Sequence, residues 1–112
     1  MPRIVRGALI QATLCEPSTS PVDKIKRAML DKHVDLIAQS ADQGAQVVCL
    51  QELFNGPYFC AEQDARWYEM TEAIPDGPTT RKMQELAKQH QMVMIVPSMK
   101  RTCRASITMR QP

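Results

Sequence analysis

Residues 47–59 read VVCLQELFNGPYF, and how this stretch is read decides the fold. Val47 to Leu50 are four apolar residues in a row, too short for a buried helix and well suited to a strand covered on both faces. Gln51 and Glu52 follow at once, and then an aromatic turn built around Asn55-Gly56-Pro57. A chain that has just entered a core thus places a carboxylate at its exit. Parallel α/β sheets bind ligands beyond the carboxyl ends of their strands, so Glu52 stands where chemistry is done in that architecture. The structural alternative is a carboxylate that caps a neighbour or reaches water.

Working outward, residues 4–11, IVRGALIQ, read as a first strand, and MVMIVP, residues 92–97, as a third. STSPVDK looks like a helix start, with Ser20 as N-cap, Pro21 at the first helical position and Asp23 in the cap box. Val22, Ile25, Met29 and Leu36, with Leu30, Val34, Ile37 and Ala41 beside them, keep helical spacing up to Gly44, a natural stop. PTTRKMQELAKQH, residues 78–90, is a second helix. Between Glu52 and that helix lies a long connection, residues 53–78, punctuated by Asn55-Gly56-Pro57 and Asp76-Gly77-Pro78. Trp67, Tyr68 and Met70 form one short helical turn within it. Connections of that length in small domains usually carry function. The order β-α-β-α-β implies parallel strands and right-handed crossovers.

The 112 residues hold 44% hydrophobic and 23% charged side chains, which fits one small globular domain. No run approaches the roughly 18 apolar residues of a membrane span. The basic opening MPRIVRGALIQ is broken by Arg6 and Gly7, so it does not resemble a secretory leader. Cys15, Cys49, Cys60 and Cys103 form no C-x-x-C pair and read as reduced cytoplasmic thiols, not as a disulfide frame or a zinc site. His33 and His90 read as surface or flank residues. No metal site and no cofactor are expected. G-x-G-x-x-G and the P-loop pattern are both absent, which argues against a nucleotide or flavin binder. The net charge of +2 divides unevenly: residues 1–97 carry −2 and residues 98–112 carry +4. Four scattered bases without an aromatic among them make a poor nucleic-acid arm, and no nucleic-acid or membrane partner is expected.

VVCLQELFNGPYF, VRGALIQAT and DGPTTRKMQELAKQHQMVMIVP together resemble the N-terminal third of the nitrilase, or carbon–nitrogen hydrolase, superfamily. The resemblance runs through residues 4–97 and is nearest to the N-carbamoyl amidohydrolases, the β-ureidopropionase and N-carbamoylputrescine amidase branch. It implies a four-layer α-β-β-α sandwich, of which this β-α-β-α-β unit is an incomplete part. It implies hydrolysis of non-peptide carbon–nitrogen bonds by Glu, Lys and Cys, on a small-molecule amide or N-carbamoyl substrate, often in a homo-oligomer. The family glutamate falls on Glu52, the general base that takes the thiol proton and later activates water. The aromatic residues after it, Phe54, Tyr58 and Phe59, would line the substrate pocket. A carboxylate crowded by apolar and aromatic groups holds a proton more tightly, which suits that role. The lysine segment, RKxHxP-like, and the cysteine segment, CYD- or CWD-like, match nothing here. Residues 1–97 are therefore expected to be a partial hydrolase domain, inactive by itself, and the alternative is a non-catalytic remnant or a member of another nitrilase branch. Cys15, near the same sheet edge, and Cys60, on the aromatic loop, read as structural or idle thiols. Cys49, three residues before Glu52, points to the other face of its strand.

Residues 98–112 read as an aberrant tail. Shifted by one base, the Met99–Lys100 junction must encode Glu, and permitted codons allow Y-E-E-D-M-P-G-V-Y-Y-N-A-A-A. That string resembles the acidic stretch and YYN of the family after its third strand, so the tail is expected to be a family segment in the wrong frame.

Overall fold

The computed structural model describes residues 3–59 and 64–99. Three strands, β1 (Gly7–Ile10), β2 (Val47–Leu50) and β3 (Val93–Ile95), form one parallel sheet in the order β1-β2-β3. Helix α1 (Val22–Asp42) joins the first two strands. A 3-10 helix (Ala65–Met70) and helix α2 (Pro78–His90) join the second and third. The β-α-β-α-β order and the parallel pairing are those expected from the apolar runs.

Register explains which side chains point where. Gly7, Val47 and Val93 lie abreast, as do Leu9, Cys49 and Ile95. The alternating residues Ile10, Val48, Leu50 and Met92 are buried beneath Ile37 of α1 and Met83 and Leu86 of α2. Both helices therefore cover one face. The other face is open among the described residues: Leu9 is 83% exposed, Val93 62% and Ile95 51%. The expectation of strands covered on both faces is met on the helix side only.

β2 matches its apolar run, β1 and β3 are shorter than residues 4–11 and 92–97, and α1 begins at Val22, one residue late. Pro21 is the N-cap, not the first helical residue; its carbonyl accepts from the Ile25 N–H, and the Ser20 hydroxyl turns away to Glu16. The helix ends at Asp42, and Gly44, at φ 84°, takes the left-handed turn that only glycine adopts without strain. Helix α2 spans the expected residues. Its C-cap, Gln91, is left-handed at φ 52° without being glycine.

A second cluster packs the long connection against α1. Trp67 and Met70 of the 3-10 helix bury against Val22, Ile25 and Met29. Arg66 ties this segment down, stacking over Trp67 and donating to the Ser20 carbonyl. No helix among the described residues is long and apolar enough to cross a membrane. Cys60, Lys100, Cys103 and nearly all of the 98–112 tail lie outside the described residues.

Candidate functional site

Backbone pairing between β1 and β2 ends at Ile10 and Leu50. Gln51 follows, and Glu52 opens a turn in which Leu53 takes φ 56°. A left-handed conformation costs a branched, non-glycine residue about 1–2 kcal/mol, so the surroundings must hold it. The reward lies one residue on, where Phe54 is driven into the core at 0% exposure. Glu52 is left at the carboxyl edge of the sheet, exposed. The apolar crowding expected around this carboxylate is not there among the described residues. The turn lifts the Glu52 side chain away from the core that Phe54 enters.

The three aromatic residues after Glu52 go to three places. Phe54 is wholly buried and meets the His33 ring edge-on, centroids 5.1 Å apart. Phe59 is half-buried and stacks on Trp67 at 6.4 Å. Tyr58 stands 72% exposed on the loop surface. The Cys15 sulfur lies 3.4 Å from Met29 Sδ. Cys49 is half-buried on the open face of the sheet.

Two groups escaped the sequence reading. His33 is fully buried and is not a surface residue. It occupies the place of an apolar residue in the four-residue rhythm Ile25, Met29, His33, Ile37, and that rhythm was the available signal. Its Nδ1–H donates to the Met29 carbonyl at 2.8 Å, and its Nε2 has no partner among the described residues. Burial lowers the His33 pKa from its ordinary 6.5, the Met29 carbonyl opposes this, and neighbouring Lys32 adds to the lowering.

Glu72 is the second. It stands 8% exposed seven residues before Thr79, and its carboxylate accepts from the Thr79 N–H at 2.8 Å and the Thr79 hydroxyl at 2.6 Å. It thereby caps α2, whose own N-cap, Gly77, has no side chain to offer. A Cβ on Gly77 would meet the Ala73 carbonyl oxygen at 2.5 Å and Glu72 Oε1 at 2.9 Å, so the clamp requires glycine there. Lys26 of α1 completes it, Nζ 2.5 Å from Glu72 Oε2. Burial alone would raise the Glu72 pKa; the Lys26 ammonium and the two Thr79 donors overcome it and hold the carboxyl below its ordinary 4.5.

These shifts set the acid response. A neutral buried His33 takes up its proton less readily folded than unfolded, so its contribution is complete above about pH 6.5 and declines as pH falls toward its lowered folded pKa. The Glu72 contribution is complete above about pH 4.5 and is lost as pH falls through its own lowered value. Stability of a full-length protein carrying this segment is expected to decline in two stages on acidification, the upper one absent in His33→Gln. Urea midpoints measured from pH 8 to 2.5 check this; equal slopes for parent and variant between pH 6.5 and 5 would contradict it.

The profile of the carbon-nitrogen hydrolase family matches residues 8–109. The chain belongs to that family. It is 36% identical over 100 residues to a beta-ureidopropionase of Arabidopsis thaliana, covering 89% of this chain and 24% of that protein. It is 30% identical over 92 residues to an N-carbamoylputrescine amidase of Oryza sativa subsp. japonica, covering 82% of this chain and 28% of that protein. An omega-amidase of Bos taurus is 37% identical over 75 residues, 66% of this chain and 25% of that protein. The chain thus spans about a quarter of the length of the curated relatives it matches. The three-stranded parallel sheet with its helices on one face is consistent with part of the family fold.

Proposed function

We propose that this chain forms part of an amidohydrolase that cleaves the carbon–nitrogen bond of N-carbamoyl amines, with Glu52 as its general base. The observation that carries the reading is the position of Glu52. It is the residue that leaves the central strand at the carboxyl edge of a parallel sheet, next to an aromatic loop, in a chain of the carbon-nitrogen hydrolase family. On this reading Glu52 takes the proton of a cysteine thiol, and the thiolate attacks the carbamoyl or amide carbon. The carbon–nitrogen bond breaks, and the departing nitrogen takes the proton from Glu52. Glu52 then removes a proton from the water that opens the thioester. On this reading Tyr58 and Phe59, on the loop after Glu52, face the substrate, while Phe54, wholly buried, supports the turn from the core and does not itself reach the reacting carbon. The lysine and nucleophilic cysteine match no segment of residues 1–112, which alone are expected to be inactive. The free thiols Cys15 and Cys49 suit a reducing compartment such as the cytoplasm, and a homo-oligomer is part of the reading.

The N-carbamoyl class is favoured by the beta-ureidopropionase and N-carbamoylputrescine amidase similarities; the omega-amidase similarity supports a simpler amide as the second reading. A full-length family member carrying residues 47–59 distinguishes them. Ammonia release from N-carbamoyl-β-alanine or N-carbamoylputrescine well above that from simple amides supports the first, and the reverse order supports the second. The proposal for residues 98–112 remains a shifted reading frame, which sequencing the gene through codon 98 decides.

A further inference from the structure

We propose that Gln51 is the positioning residue of Glu52; the inference rests on the reading of Glu52 as base. Where the backbone ladder between β1 and β2 stops, the Gln51 side chain continues it. Its Oε1 accepts from the Ala12 N–H at 2.8 Å, and its Nε2 donates to the Ala12 carbonyl at 3.0 Å. The amide stands in for one more peptide unit of a strand. The backbone is thereby free to leave the sheet at Glu52 and take the left-handed step at Leu53, while the departure point stays fixed to β1.

A second tie comes from α1. Lys32 Nζ donates to the Thr13 carbonyl at 2.8 Å, one residue beyond Ala12, and the adjacent His33 meets Phe54. Successive residues of one helix therefore hold the segment on each side of Glu52, upstream through Thr13, Ala12 and Gln51, downstream through Phe54. Phe54 and His33 also serve the core. Gln51 is half-buried, and its two amide bonds both end on Ala12, so its role is to locate the residue that follows it. A general base acts only within hydrogen-bond reach of its proton, and a displacement of about 1 Å can lower a rate about 100-fold.

The test uses a full-length family member that carries residues 3–59 as they stand here, with N-carbamoyl-β-alanine as substrate. Gln51→Met, similar in length but unable to make either bond, is expected to lower kcat by roughly 10- to 100-fold with KM within about twofold, because the base moves and the binding surface does not. Hydrogen exchange of the Ala12 amide is expected to speed up in the same variant. If Gln51→Met does not fold, Gln51→Glu carries the test. It keeps the volume and the acceptor but loses the donor to Ala12, and its kcat is expected to fall with KM again unchanged. A parental kcat in the folded variant, or a rise in KM alone, overturns the inference. Glu52→Gln is the control. If it keeps parental turnover, the base reading fails; if it abolishes turnover while the Gln51 variants remain parental, only the positioning role fails.

Discussion

Expressed alone, the 112-residue chain is expected to self-associate at micromolar concentration and to bind a hydrophobic dye, and Leu9→Thr/Val93→Thr/Ile95→Thr to reduce both. The cause is the open face of the sheet. Leu9, Val93 and Ile95 lie on it in register, and Ile4 and Val5, just before β1, add further exposed apolar surface at 86% and 64% exposure. Burying a large apolar side chain is worth about 1.5–3 kcal/mol. Five such residues left in water forgo about 7–15 kcal/mol, the same size as the whole stability of a typical domain, about 5–15 kcal/mol. An exposed apolar face with unpaired strand edges finds partners. Threonine has the β-branched shape that strands favour, which Val93 and Ile95 already have, and it removes apolar surface. Sedimentation of parent and triple variant, with dye fluorescence, reads the effect. A parent that sediments as a monomer and melts in one cooperative transition would contradict it.

Phe54→Ala is expected to destabilise a full-length family member carrying this segment by about 3–5 kcal/mol, the range for deleting a buried phenyl ring. Phe54 is 0% exposed in the cluster of Ile10, Ile37, Val48, Leu50, Met83 and Leu86, where both helices meet the sheet. It also supplies the edge-on ring that faces His33, a pairing worth about 0.5–1.5 kcal/mol beyond area when both rings are aromatic. Removing it takes away the contact that justifies the left-handed turn at Leu53. Phe54→Leu, which fills most of the space, is expected to lose much less. Denaturant midpoints of the three proteins measure this. A loss below about 1 kcal/mol for Phe54→Ala would show that the turn is held from elsewhere.

Topology was legible because apolar periodicity and turn residues agree along the chain. VVCL, flanked by Gln46 and Gln51, suits a short strand, and Asp76-Gly77-Pro78 punctuates the chain just before PTTRKMQELAKQH; the left-handed stop at Gln91 carries no such signal. The first helix was misplaced by one residue because Pro21 satisfies the rule for a first helical residue and that for a cap equally well. The lengths of β1 and β3 were overestimated because apolar residues continue beyond the ladder: Ile4 and Val5 run on from β1 without pairing. His33 was misread because a histidine in an apolar stripe looks polar until its partner is known, and Phe54 lies 21 positions away. The Glu72 clamp and the Gln51 amide depend on register and on loop closure, which local pattern does not encode. The position of Glu52 at the sheet edge was readable from the strand alone. Its exposure was not, since that follows from the turn at Leu53.

The measurement that bears most directly on the account is ammonia release from N-carbamoyl-β-alanine or N-carbamoylputrescine by a full-length family member carrying residues 47–59, parent against Glu52→Gln. Glu52 is exposed, so its amide is expected to leave the melting temperature essentially unchanged. An amide cannot accept the thiol proton, and loss of a positioned base lowers turnover about 10²- to 10⁴-fold. That loss is expected in a folded protein. Turnover within about threefold of the parent, with the fold intact, would contradict it.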